Sequence, residues 1–385
     1  MRTFLKAAIP LLALIGCAGN STGGGPAEVQ GASRPFQVQP IGTFDSPWAM
    51  TFIPGEGRRA LITEKGGRLL LWSEGAAPVE VSGVPEVDEG GQGGLGDVVI
   101  HPRFAENGLV YLSWVEAGEG GTRGAAVGRG RLLFTAEARP GARAGVSLDG
   151  FQVIWRQSPK RSGRGHFGHR IAFGPDGKLY ISNGDRQEFT PAQDMSGTLG
   201  KIVRLNDDGS LPADNPFANR GGAAAQIWSL GHRNPLGLAF DPQGRLWNSE
   251  MGPRGGDELN LVERGSNQGY PIVSDGSHYN GSDIPDHATR PEFNAPEVVW
   301  TPVISPSSLI FYSGGMFPAW RGNALLGGLS GEALVRVEVS GNRAREVERY
   351  AMNARIREVE QGPDGAVYLL EDGPGGRLLR LVPAR

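Results

Sequence analysis

Three glycine-rich segments hold the side chains best suited to chemistry. They are GRGHFGHRIAF (residues 163–173) with two histidines, SLGHRNPLGLAF (229–240) with Arg233 and Asn234, and SEMGPRGGDELNLVERGSNQGYP (249–271) with four carboxylates. A neutral imidazole accepts a proton near neutral pH, arginine binds carboxylates, and carbonyl and carboxylate oxygens bind calcium. The sequence therefore offers proton transfer, anion binding and cation binding on loops that a larger framework must bring together.

The framework is indicated by a repeated pattern of an apolar strand, a Pro-Asp-Gly type turn and a second apolar strand. Three clear copies and three weaker ones occur, at residues 173–185, 240–252, 362–372, 52–72, 101–116 and 320–337. Proline and glycine supply the turn dihedrals, and no single hairpin can bury its own apolar face. We therefore predict an all-β, six-bladed β-propeller over residues 36–385, with a β-sandwich as the alternative.

Several function classes are disfavoured. The formal net charge is −3, so no basic surface is available to attract nucleic acid. Segments 91–96 and 163–168 match G-x-G-x-x-G, but both run into strand-like sequence, whereas a dinucleotide-binding motif needs a following helix. The sequence shows no sustained helical periodicity, so we reject a dinucleotide-binding fold.

The N-terminus is typical of an export signal. Arg2 and Lys6 precede a short apolar stretch that ends in Leu-Ile-Gly-Cys, which resembles a bacterial lipobox. We predict a signal peptide at 1–16, lipidation of Cys17, the single cysteine, and a flexible tether at 17–35 rich in Gly, Ser and Ala. The protein would then be exported to the periplasmic side and anchored to a bacterial membrane. Ala18 after the cysteine favours the outer membrane.

Eight short motifs in order resemble the soluble quinoprotein sugar dehydrogenases, in particular the aldose sugar dehydrogenases. They are SPWAMTF, GQGGLGDVVIHPRF, HFGHRIAF, GKIVRLNDDGSLPADNPF, WSLGHRNPLGLAF, SEMGPRGGDELN, SPSSLIFYSG and RIREVEQGPDG. The resemblance runs from about Pro40 to Val382. It implies an enzyme that oxidises aldose sugars at C1 to the lactone, with pyrroloquinoline quinone (PQQ) and Ca²⁺ as cofactors and an unidentified electron acceptor.

The resemblance also implies roles for individual residues. His166 matches the catalytic base, which takes the proton of the anomeric hydroxyl while a hydride moves to the quinone. The matches to cofactor-binding positions are Gln92, Arg233, Asn234, Arg355 and Arg357. PQQ carries three carboxylates, which arginine forks bind. Trp300 aligns with an aromatic residue near the sugar pocket, although tryptophan is at least as often a core residue.

Two calcium positions follow from the same resemblance. The backbone carbonyls of Gly252 and Pro253 match the ligands of the catalytic ion, which polarises the quinone. Glu258 and the carbonyl of Gln268 match a second, structural site.

One departure from the family pattern concerns Ser330, which stands where relatives often have a lysine that contacts the quinone. The missing cation favours an alternative reading as a non-catalytic, lipid-anchored propeller that binds carbohydrate or protein. A calcium-dependent lactonase is a further alternative, but it would need several side-chain carboxylates around one central ion.

Overall fold

The computed structural model describes residues 34–135 and 145–384, and they form an almost wholly β structure. The helical segments in this part of the chain are short: the α-helix Phe104–Asn107 and the 3-10 helices Glu119–Gly121, Thr190–Ala192, Ala218–Arg220, Gly222–Gln226, His287–Thr289 and Pro318–Trp320. The all-β prediction is therefore confirmed. None of these helices has the length and apolarity needed to cross a bilayer. The predicted signal peptide and Cys17 lie outside the described residues.

The strands are short and are separated by turns and loops. In chain order they are β1 Phe36–Asp45, β2 Pro47–Phe52, β3 Ala60–Glu64, β4 Arg68–Trp72, β5 Val79–Ser82, β6 Leu95–Ile100, β7 Leu109–Ala117, β8 Arg123–Thr135, β9 Gly145–Arg156, β10 Gly168–Phe173, β11 Leu179–Asn183, β12 Lys201–Leu205, β13 Ile227–Leu230, β14 Pro235–Phe240, β15 Leu246–Glu250, β16 Asp257–Leu261, β17 Val298–Trp300, β18 Pro306–Phe311, β19 Ala324–Gly328, β20 Ala333–Ser340, β21 Arg343–Ala351, β22 Ile356–Gln361, β23 Val367–Glu371 and β24 Pro374–Pro383.

Antiparallel hairpins combine these strands into sheets. Four sheets have four strands each, in the orders β10-β11-β12-β13, β14-β15-β16-β17, β18-β19-β20-β21 and β1-β24-β23-β22. An eight-stranded sheet, β2-β3-β4-β5-β9-β8-β7-β6, consists of two four-stranded halves joined by the parallel pair β5–β9. Strand β1 pairs with β24, so the first and last strands share one sheet.

Each four-stranded sheet or half-sheet has one strand that faces the centre, and these innermost strands contact one another in a closed cycle. They are β2, β6, β10, β14, β18 and β22. Strand β2 contacts β6, β6 contacts β10, and the series continues through β14, β18 and β22 back to β2. Each has a register shift against its hairpin partner near its start. Five of the six have the same burial pattern, with four buried residues followed by two half-buried ones. Such bulges often lie beside active sites, where they redirect side chains.

The predicted turns have the expected chemistry. Between β10 and β11, Gly177 adopts φ +72° and Asp176 accepts a hydrogen bond from the Lys178 backbone N–H at 3.0 Å. The two G-x-G-x-x-G segments lead into strands β6 and β10. The rejection of a dinucleotide-binding motif is therefore confirmed.

The apolar core lies between neighbouring sheets. One cluster joins Trp48 of β2, Leu95 of β6 and Trp114 of β7 with Leu236 of β14. Because each sheet buries its faces against its neighbours, the starts of the innermost strands are held in fixed relative positions.

Candidate active site

A cavity of about 410 Å³, here called the pit, opens at the starts of the innermost strands. Its lining includes one residue from the start of each of these strands or from the segment just before it: Trp48, Gln92, Gly168, Leu236, Ser305 and Arg357. The cycle of strand contacts therefore places the pit on the central axis. Predicted site residues from sequence positions more than 260 apart, Gln92 and Arg357, meet there.

His166 lies beside the pit, directly before the lining residues Phe167 and Gly168. Its backbone N–H donates to Gln92 Oε1 at 2.7 Å, and its Nδ1 lies 2.6 Å from Asp185 Oδ1. Since an ionised carboxylate only accepts hydrogen bonds, Nδ1 carries the proton and Nε2 keeps the lone pair. Burial lowers the pKa of His166, although the hydrogen bond that Nδ1 donates to Asp185 opposes this shift. The imidazole is therefore neutral at pH 7.

Asp185 is completely buried and rigidly held. Its carboxylate accepts hydrogen bonds from the backbone N–H groups of Gln187 and Phe189 at 2.9 and 3.2 Å. A Cβ on the preceding Gly184 would lie 2.2 Å from the His166 carbonyl oxygen, so only glycine allows this approach. No sequence motif identifies Asp185 as a site residue, because its partner His166 lies 19 residues away on a loop.

Arg233 and Asn234 contain polar atoms that lack partners. Arg233 donates through Nη1 to the Met251 carbonyl at 2.9 Å and through Nη2 to the Tyr279 hydroxyl at 3.1 Å. Among the described residues, the buried atoms Arg233 Nε and Asn234 Oδ1 have no hydrogen-bond partner. Unpaired buried polar atoms are costly, so these two indicate a missing polar ligand. Met251 itself lines the pit.

Arg355 and Arg357 both line the pit, and both bind the same carboxylate. Arg355 Nε lies 2.9 Å from Asp372 Oδ2, and Arg357 Nη2 lies 2.7 Å from Asp372 Oδ1. The Arg355 side chain is 49% exposed, whereas that of Arg357 is 13% exposed. Asp372 therefore holds the two guanidinium groups at the wall and neutralises part of their charge.

The Gly252-Pro253 turn is buried and tightly wound. The Gly252 N–H donates to Asp257 Oδ1 at 2.8 Å, and Asp257 Oδ2 accepts from the Ser305 N–H at 2.6 Å, which fastens the turn to the pit wall. Neither the Gly252 nor the Pro253 carbonyl accepts a hydrogen bond from the described residues. Two unsatisfied, buried carbonyls fit the oxygen ligands that calcium requires.

The second predicted calcium position has a different donor set. Ligand atoms of Glu258, Asp275 and His287 lie within 4.8 Å of one another. His287 Nε2 lies 2.8 Å from the Gln268 carbonyl, and its Nδ1 lies 2.7 Å from Asp275 Oδ2. Burial opposes a charge on His287, but the Asp275 hydrogen bond and the nearby Glu258 raise its pKa. His287 thus uses one of the two lone pairs of the Gln268 carbonyl, at a position where the sequence analysis expected calcium alone.

Trp300 lies away from the residues that line the pit. It is 4% exposed and packs in the cluster with Trp247 and Leu309. Its Nε1 donates to Glu346 Oε2 at 2.6 Å. The structure therefore gives Trp300 a core role and does not place it in the lining of the pit. The exposed aromatic residues near Arg233 and Asp185 are instead Tyr279 and Phe189.

His169 fills space beside the pit that Gly96 leaves open. A Cβ at position 96 would lie 2.0 Å from His169 Cε1. The ring stacks on Trp48 with centroids 5.0 Å apart, and its Nδ1 lies 2.9 Å from Ser113 Oγ. Burial lowers the pKa of His169 to about 3, so it stays neutral. These contacts give His169 a structural role in the wall of the pit.

A second cavity of about 280 Å³ lies further along the same innermost strands. It is lined by Asp97, Glu358, Glu360 and the single guanidinium of Arg170. Arg170 Nη2 lies 2.7 Å from Glu358 Oε2, and its guanidinium carbon lies 4.1 Å from the centre of the Trp48 ring. Three carboxylates thus share one cation in a buried channel.

The sequence profile of the glucose/sorbosone dehydrogenases matches residues 44–380. The chain belongs to this family. An aldose sugar dehydrogenase of Escherichia coli is 40% identical to this dehydrogenase over 349 residues, which cover 88% of this chain and 90% of the relative.

Two solved structures show the same architecture. The soluble aldose sugar dehydrogenase of Escherichia coli, in its apo-form, matches with a TM-score of 0.83 and 37% identity over 91% of this dehydrogenase and 100% of that chain. The PQQ-bound aldose sugar dehydrogenase of Streptomyces coelicolor matches with a TM-score of 0.71 and 27% identity over 90% and 98% of the two chains. The predictions of a β-propeller and an oxidoreductase are confirmed, and the non-catalytic alternative is not favoured.

Proposed function

We propose that this dehydrogenase oxidises aldose sugars at C1 to the corresponding lactones, with PQQ and calcium as cofactors. The observation that carries the proposal is the Asp185–His166 pair beside the pit, in which Nδ1 is engaged at 2.6 Å and Nε2 is left as a base. Proton abstraction needs a neutral imidazole, and burial keeps His166 in that form. Oxidation at C1 removes one proton from the hydroxyl and one hydride from the carbon.

The proton is assigned to His166 Nε2. Asp185 stabilises the imidazolium that forms, since its carboxylate already accepts the Nδ1 proton. Gln92 holds the His166 backbone in its left-handed conformation, φ +49°, by accepting its N–H. The exposed rings of Tyr279 and Phe189 offer apolar faces on which a sugar ring packs.

The cofactor residues are assigned because they have unpaired polar groups or line the pit. The Arg233 Nε–H and the side-chain amide N–H of Asn234 would donate to PQQ oxygens, together with the guanidinium groups of Arg355 and Arg357. The carbonyls of Gly252 and Pro253 would hold calcium. When bound, PQQ supplies the hydride acceptor and calcium supplies Lewis-acid polarisation.

The architecture proposed around this site is a six-bladed ring. Its support is the six equivalent innermost strands that contact one another in a cycle, and the parallel β5–β9 pair that divides the eight-stranded sheet into two blades. We extend the proposal to the N-terminus: a signal peptide at 1–16, a lipidated Cys17, a tether at 17–35 and the enzyme domain at 36–385, on the periplasmic side of a bacterial membrane. Electrons would leave to an unidentified acceptor.

Reconstitution tests the proposal. Apo-protein lacking residues 1–16 is mixed with PQQ and Ca²⁺, and reduction of an artificial dye is followed with glucose and other aldoses. We expect sugar-dependent dye reduction and a changed PQQ absorption spectrum on mixing. His166→Ala should abolish turnover while PQQ binding persists. An unchanged PQQ spectrum would refute the proposed function. Turnover by His166→Ala would refute the assignment of His166 as the catalytic base.

A further inference from the structure

The pit has fewer free positive charges than its arginines suggest. Three basic side chains line it: Lys65, Arg355 and Arg357. Asp372 binds both arginines, so Arg355, Arg357 and Asp372 together contribute a single net positive charge. Arg233, beside the pit, adds a second. Lys65 is therefore the basic side chain in the lining that no carboxylate of the described residues neutralises.

Lys65 is held at the rim of the pit by its backbone. It lies in the turn between β3 and β4, its N–H donates to the Ser46 carbonyl, and its carbonyl accepts from the Leu95 N–H, both at 3.0 Å. A Cβ on Gly94 would lie 2.3 Å from the Lys65 carbonyl oxygen, so the two segments approach closely. The position of the Lys65 backbone is thus fixed by contacts to two other segments.

The ammonium group of Lys65 retains unused donors. Its Nζ donates to the Gly91 carbonyl at 3.0 Å, next to Gln92. An ammonium has three protons, so two remain for a ligand. Within the described part of the chain, no carboxylate lies within ion-pair distance of Lys65, whereas Lys160 is paired with Glu116 at 2.8 Å.

Ser330 does not supply this charge. Its hydroxyl lies 2.8 Å from the hydroxyl of Ser305, which lines the pit, so the position is next to the site. Ser305 and Ser330 contribute uncharged hydroxyl groups at this position.

We propose that Lys65 replaces the missing family lysine and donates to a carboxylate or carbonyl oxygen of PQQ from a different part of the ring. The inference rests on the proposed function, because it assigns a residue to the same cofactor. Charge-assisted hydrogen bonds of this kind are about twice as strong as neutral ones.

The test measures PQQ affinity directly. Apo-protein in excess Ca²⁺ is titrated with PQQ, and tryptophan fluorescence quenching gives the Kd. Lys65→Gln should weaken binding roughly ten- to a hundredfold, and Lys65→Arg should recover most of the loss. Ser330→Lys in the Lys65→Gln background should also restore affinity. Lys160→Gln, which removes a similarly half-buried lysine outside the pit, is the control and should leave the Kd unchanged.

The outcomes separate this inference from the proposed function. If wild-type protein binds no PQQ, the proposed function fails. If wild-type protein binds PQQ and Lys65→Gln binds it equally well, the role of Lys65 is refuted while the function stands. A Lys65→Gln protein with unchanged Kd but a raised KM for sugar would assign Lys65 to the substrate and also overturn the inference. Circular dichroism confirms that each variant is folded.

Discussion

His166 Nδ1 lies 2.6 Å from Asp185 Oδ1, and the Asp185 backbone N–H donates to the Arg233 carbonyl at 2.8 Å. One buried aspartate thereby ties the proposed base to the proposed cofactor-binding arginine. The loop that contains Asp185 thus orients the His166 imidazole and also positions the Arg233 backbone. Asp185 therefore fixes the position of His166 relative to Arg233.

Asp185→Asn should lower kcat by roughly 10²- to 10⁴-fold. The neutral amide lacks the charge that stabilises the imidazolium, and the carboxylate charge that raises the pKa of His166 is lost. His166 is active when neutral, so activity falls as pH drops through its pKa. A lower pKa moves this acid limb of the kcat/KM profile to lower pH in the variant.

The pH profile of dye reduction checks this prediction. The control is Asp208→Asn, which alters a turn carboxylate that binds Ser210 at the surface. It should leave both kcat and the acid limb unchanged. An Asp185→Asn enzyme with lower kcat and an acid limb moved to higher pH would contradict the assigned roles.

Arg357→Ala should destabilise the apo-protein far more than Arg355→Ala. Removing the mostly buried Arg357 leaves Asp372 without its inner partner, at a cost of roughly 3–5 kcal/mol. Arg355 is half exposed, and loss of such a pair costs about 1 kcal/mol or less. Urea unfolding of the apo-proteins gives the comparison, and PQQ titration should show weaker binding by both variants. Equal losses of stability in the two variants would contradict the prediction, because they would show that Asp372 depends on Arg355 as much as on Arg357.

Gly96→Ala should cost roughly 1–3 kcal/mol of stability, because its Cβ would lie 2.0 Å from the buried His169 ring. In a His169→Ala background the same change should cost much less, since the obstructing ring is gone. A double-mutant cycle on unfolding free energies measures the coupling. Gly315→Ala is the control, as a Cβ there meets no atom within 4 Å. Additive effects at positions 96 and 169 would argue against this packing.

Glu360→Gln should raise the Tm at pH 8 by about 1–3 °C. Burial, together with the charges of Glu358 and Asp97, raises the pKa of Glu360 well above its usual value. The folded state then binds more protons than the unfolded state, so stability falls as pH rises from about 4.5 through the raised pKa. The gain should vanish near pH 4.5. Calorimetry across this range checks it, with the exposed Glu338→Gln as a neutral control. A gain that persisted at pH 4.5 would exclude titration as its cause.

Much of the fold could be predicted because turn chemistry is local. The Pro-Asp-Gly segments, such as Gly174–Lys178, place a strand on either side whatever the rest of the chain does. Two of the proposed cofactor residues, Arg233 and Asn234, follow from motifs that are contiguous in sequence. Their unpaired atoms in the structure agree with that assignment.

Other features depend on contacts between distant segments, which no local pattern reveals. Asp185 becomes a partner of His166 only through the turn at Gly184, and Lys65 reaches the pit from a hairpin with no chemical motif. His287 was not foreseen at the Gln268 carbonyl because it comes from a separate loop. For Trp300 the resemblance suggested a place near the sugar pocket, but the residue belongs to the core.

The pairing of β1 with β24, which sets Phe36 opposite Pro383, has a consequence for biogenesis. The strand synthesised first stays without its partner until the last strand has left the ribosome. Contacts this remote in sequence make folding slow, and unpaired strand edges invite aggregation meanwhile. An exported chain would thus complete its ring after translation ends, and a premature stop before Pro374 would leave β1 without a partner and β23 paired with β22 alone.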